Sequence, residues 1–109
     1  MTISIALATA LTLSAQAGPP TQPRQLFSSC LSRFTKASVS AKMDEVSFRS
    51  GAKAACAAEE QAFRKAMVDY DVKMGAKRAQ AEEGIALEVE DYLVNSVETY
   101  KAHTEATPK

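Results

Sequence analysis

An all-α domain stapled by one disulfide is the fold this sequence predicts, and three observations carry that expectation. Between Pro23 and Pro108 the chain runs for 84 residues without a proline, the residue that most strongly breaks helices. Within that stretch apolar residues recur at steps of three and four, the spacing that gathers them on one helix face. The two cysteines, Cys30 and Cys56, stand 13 residues before and 13 residues after Met43, as the two arms of a helical hairpin would place them.

The first block predicts a helix over about 25–42. Leu26, Phe27, Cys30, Leu31, Phe34, Ala37 and Ala41 fall on one side of it. Met43 and Asp44 form the expected turn, with Asp44 as N-cap of the next helix, because its carboxylate can accept an orphan backbone N–H. The second helix is expected over about 45–83, carrying Phe48, Ala52, Cys56, Phe63, Met67, Tyr70 and Met74 on a drifting stripe. Gly51 and Gly75 are the places where it can break. Gly84 suits a C-terminal stop, and a third helix over about 85–103 carries Ile85, Val89, Tyr92, Leu93, Ser96, Val97 and Tyr100. Residues 104–109 are expected to fray.

The cysteine spacing sets a register. In an antiparallel hairpin, residues equidistant from the turn lie side by side, so Cys30 meets Cys56, Leu31 meets Ala55 and Phe34 meets Ala52. A disulfide needs Cα atoms ~4.4–6.8 Å apart, closer than the usual ~8–10 Å between helix axes. Ala54, Ala55, Ala57 and Ala58 remove the bulk that would hold the helices apart. Closing this loop stabilises the hairpin by ~3 kcal/mol on the chain-entropy model. A redox-active pair would more ordinarily be spaced C-x-x-C. The same reasoning about Glu83-Gly84 sets Met74 beside Leu93, Tyr70 beside Val97 and Met67 beside Tyr100. An unbroken second helix makes the molecule only two helices thick and calls for a second copy, as a homodimer, or for a partner to cover its apolar side. A break instead folds the three helices into one compact bundle.

The segment ahead of this domain resembles an export address. Residues 3–13 are uncharged and largely apolar, Ala15 and Ala17 form an A-x-A cleavage signal, and Gly18-Pro19-Pro20 follows. The layout is that of a secretory signal peptide over 1–17, and the apolar run falls short of the ~20 residues a membrane span needs. Met1 and Thr2 carry no charge, whereas such leaders ordinarily carry Lys or Arg there, and this feature departs from the pattern. Cleavage after Ala17 leaves 92 residues, and a domain of that size gains from a crosslink. Residues 18–24 hold three of the four prolines and are expected to form a flexible lead-in. An exported protein is periplasmic in a Gram-negative cell and secreted otherwise.

Charge and chemistry exclude more than they identify. The chain holds 13 basic and 13 acidic residues, a balance without the basic excess of a nucleic-acid binder. By segment the net charge is +4 over 24–42, −1 over 44–83 and −3 over 85–109. The basic first helix is expected to be a solvated face rather than a membrane-surface helix. His103 is the only histidine, and two cysteines cannot complete a conventional metal site, so no metal or cofactor is expected. Glu59-Glu60 and Glu82-Glu83 are adjacent and point about 100° apart on a helix, which does not make a dyad. Ser28, Ser29, Ser32, Ser38 and Ser40 have no His–Asp set beside them. No nucleophile–base constellation is present, and an enzyme is not expected. The expected role is association with a protein, either a second copy or an envelope partner. The alternative is an apolar-ligand or membrane-surface module using a seam of Phe63, Met67, Tyr70, Met74, Tyr92, Leu93, Val97 and Tyr100. At helical spacing such residues are more often core.

Overall fold

A computed structural model describes residues 18–105, and the expected leader at 1–17 lies outside them, as do 106–109. Four helices follow in order: α1 (Thr21–Val39), α2 (Glu45–Ala55), α3 (Ala57–Lys73) and α4 (Arg78–Glu105). The fold is all-α, and no strand occurs among the described residues. α2 and α3 follow one course. Cys56 departs from helical geometry (φ −110°, ψ 20°), yet its N–H still bonds Ala52 O at 3.0 Å and its carbonyl accepts from Glu60 N at 2.9 Å. The irregularity sits at the residue that must approach α1 to 5.8 Å between Cα atoms. In cross-section the protein is thus a three-helix bundle of α1, α2–α3 and α4.

α1 starts at Thr21, inside the stretch expected to be a flexible lead-in. Pro23 is its third residue, and the first four N–H groups of a helix have no intrahelical partner, so a proline there forfeits nothing. The first turn follows expectation closely. Asp44 is the N-cap of α2 and accepts from Ser47 N at 2.8 Å. Lys42 takes a left-handed conformation (φ 50°) to complete the reversal. Cys30 and Cys56 are joined, with no free cysteine among the described residues. Phe34 reaches the backbone of α2 at Gly51, one residue from its expected neighbour Ala52. A Cβ on Gly51 would lie 2.7 Å from Phe34 Cζ, so glycine is there to admit the ring. It is not a break.

The second turn differs from expectation. α3 ends at Lys73, and Gly75 takes φ +104°. Gly75 N bonds Val72 O at 3.0 Å and Ala76 N bonds Asp71 O at 2.9 Å, the paired 5→2 and 6→1 bonds of a Schellman stop. The expected long helix over 45–83 therefore breaks at Gly75, and Gly84 lies exposed inside α4 instead of ending a helix. The reason lies in the core spacing. Ala81, Ile85, Val89, Leu93 and Val97 form a buried stripe in steps of four that passes straight through Gly84.

Moving the turn changes every pairing drawn about Glu83-Gly84. Tyr100 stacks on Phe48 of α2 (centroids 4.2 Å, planes 5° apart) and belongs to a small cluster with Val97, while Met67 lies in the larger cluster with Phe63, Val89 and Leu93. Phe34 joins both clusters. Tyr100 Oη also donates to Met43 O at 2.8 Å, tying the end of α4 to the α1–α2 turn.

Two glycines test this placement by opposite signs. Gly84→Ala relieves a helix interior of glycine and is expected to stabilise by about 0.5–1 kcal/mol, whereas Gly75→Ala must hold a positive φ and is expected to destabilise by about 1 kcal/mol or more; urea unfolding measures both. A Cys30→Ser/Cys56→Ser variant is expected to lose ~3 kcal/mol in the same assay.

Candidate functional site

The eight seam residues are not gathered on one open face. Phe63, Met67 and Leu93 are buried in the larger cluster with half-buried Tyr92 against them, and Val97 and Tyr100 are buried in the smaller one. Tyr70 is half-buried, and Met74 is 63% exposed beside the α3–α4 turn. Six of the eight thus serve the core or its edge. Phe27, Phe63 and Tyr92 form an aromatic group, Phe27 and Phe63 at 5.8 Å and Tyr92 edge-on to each at 5.6 and 5.8 Å. Such packing rewards ring geometry.

Arg24 covers this aromatic group from outside. Its guanidinium lies 5.2 Å from the Phe63 centroid, donates to Glu88 of α4, and reaches Tyr92 Oη at 3.5 Å and Met67 Sδ at 3.8 Å. The hydrogen bond to Tyr92 leads in raising its pKa above the ordinary value, with Glu88 adding to it against desolvation. Sequence reasoning assigned Arg24 to the lead-in and missed this role. The signal was present, because residues 24, 27, 31 and 34 continue the core stripe of α1 one turn upstream. Arg49 of α2 makes a second strut, to Glu90 of α4. Glu60, nearly buried, is held by Arg64 at 3.0 Å.

The outer side of α4 carries apolar side chains without a partner in the fold. Leu87 is 70% exposed and Val94 is 42% exposed. With Gln80, Gly84, Asp91 and Glu98 they make a stripe in alternating steps of four and three, the spacing that suits packing against another helix. All six positions are exposed, and Glu83 and Glu90 flank the stripe. Leu87 and Val94 are thus exposed hydrophobic side chains framed in acid.

His103 is exposed in the last turn of α4. No group of three or more metal-ligating side chains occurs among the described residues, nor is any helix there long and apolar enough to cross a membrane. No family model matches the chain, and no curated protein or solved structure matches it either.

Three carboxylates are held below their ordinary pKa. Hydrogen bonds from Ser47 lower Asp44, the bond from Lys65 lowers Asp69, and the bond from Arg49 lowers Glu90. A depressed folded-state pKa contributes stability above the unfolded-state value and loses it as pH falls through the folded one. Urea midpoints should therefore be flat above about pH 5 and fall below about pH 4. Asp44→Asn keeps an N-cap acceptor but no titrating group there, so its midpoint is expected to fall less steeply with acid than that of the parent.

Proposed function

We propose that this is a small exported helical protein, non-enzymatic, that works by protein–protein association through the outer face of α4. The observation that carries the reading is the exposure of Leu87 and Val94 at heptad-compatible spacing on the side of α4 away from the core. Fully burying a branched aliphatic side chain is worth about 1.5–3 kcal/mol, and the area that Leu87 and Val94 still expose forgoes a part of it. A partner that covers them recovers it.

The charges on that face favour one kind of partner. Two copies pressed together through it would bring Glu83, Asp91 and Glu98 near their own equivalents. A homodimer through α4 is disfavoured on that ground, and an envelope protein presenting basic residues around an apolar helix face fits better. The bundle has also buried most of the seam that a two-helix-thick molecule would have needed a second copy to cover.

Export rests on the apolar segment ending in Ala15-Gln16-Ala17 and on the Cys30–Cys56 disulfide, a bond that persists in oxidising compartments. The compartment is the periplasm in a Gram-negative cell. A photo-reactive residue placed at Leu87 or Val94 in cells tests the association. A discrete crosslinked species is expected from both positions and none from exposed Gln61 on α3. Twice the monomer mass would make the partner a second copy; no adduct from either position removes the proposal. The intact mass of the exported protein should begin at Gly18.

A further inference from the structure

We propose that the groove between α1 and α4 binds a small hydroxylated anion of the sugar-acid type. Two exposed serines of α1, Ser28 and Ser32, meet polar residues of α4 in it. Ser28, Ser32 and Lys36 descend α1 in steps of four, and Asn95, Thr99 and His103 descend α4 in the same steps, facing one another across about 300 Å³. From Ser28 to Lys36 the groove runs about 12 Å at 1.5 Å per residue. That volume and length belong to the lower end of small-molecule sites.

The lining has the chemistry of a polyol site with a charged end. Thr35 donates to Leu31 O at 2.7 Å, Ser96 to Tyr92 O at 2.9 Å and Thr99 to Asn95 O at 2.9 Å. Those hydroxyl protons are committed to the helices, so their oxygens are left to accept from ligand hydroxyls. The Lys36 ammonium and the Asn95 amide donate, and Lys36 marks the end of the groove where a carboxylate would be held. No acidic residue lines the groove, although α4 carries Glu88, Glu90, Asp91 and Glu98. Serine, threonine and asparagine are poorer helix formers than the Ala, Glu or Lys that an idle surface would carry. Their convergence from two helices on one groove, with the acids kept out of it, is the pattern of a site.

The site is independent of the association proposed for α4, whose stripe lies on a different side of that helix. Amide chemical shifts of the labelled protein, titrated in parallel with glucuronate, glucose and acetate, test it. Glucuronate is expected to shift amides of residues 28–36 and 92–103 and to bind at least tenfold more tightly than glucose or acetate. Lys36→Gln, which removes the charge without setting an acid in the last turn of α1, should weaken glucuronate at least tenfold while the unfolding midpoint stays close to that of the parent, because Lys36 is exposed. Ser32→Leu, which fills the groove from another exposed position, should abolish the shifts while the helical circular dichroism is retained. No shift in the groove, an equal response to acetate, or unchanged affinity in both variants would overturn the proposal.

Discussion

The bond between Cys30 and Cys56 holds α1 against the α2–α3 course at 5.8 Å between Cα atoms, and the rest of the bundle accommodates that approach. Helices ordinarily pack with axes ~8–10 Å apart, so side chains near the crosslink must be small or absent. The sequence supplies alanines on either side of Cys56 and a glycine at 51, against whose backbone the Phe34 ring rests. The helical geometry yields at Cys56 itself while its hydrogen bonds continue on both sides. Ala52, Phe63 and Met67 then face a space that α1 alone does not close. α4 closes it with Ile85, Val89 and Leu93.

Polar contacts place α4 more than they stabilise the protein. Arg24 to Glu88 and Arg49 to Glu90 join α4 to the two other arms of the bundle, and Tyr100 Oη anchors its far end on Met43 O. Partly exposed ion pairs contribute only ~0–1 kcal/mol each. Their value here is positional, because they brace α4 in the orientation that burial of Ala81, Ile85, Val89 and Leu93 sets. Once that face is chosen, Leu87 and Val94 must point to solvent, and Asn95, Thr99 and His103 must face α1. The exposed stripe on α4 and the polar groove are both consequences of one helix rotation.

Much of this was legible along the chain. The all-α class, the turn at Met43, the Asp44 cap and the cysteine pairing each rest on local rules acting over a few residues or on symmetry about one turn. The second turn was misplaced because two glycines competed for one stop. Gly84 has the Gly signature of a C-cap, but the four-residue steps from Ala81 to Val97 run through it, whereas Gly75 is followed by a change of stripe. Arg24 was hidden by its prolines. A proline in the first turn of a helix looks, in sequence, like a proline that prevents one.

By itself the sequence determined the helical content, one hairpin and its crosslink, and the balance of charge among the three arms. These follow from propensity, capping and periodicity, which act locally. Only the tertiary structure decided that the chain reverses at Gly75, which of the apolar seam residues are core, and that Ser28 and Ser32 of α1 share a groove with His103. Those outcomes depend on which face of α4 meets α1 and α3. That face is chosen by burial summed over three helices at once, a quantity no single stretch of sequence contains.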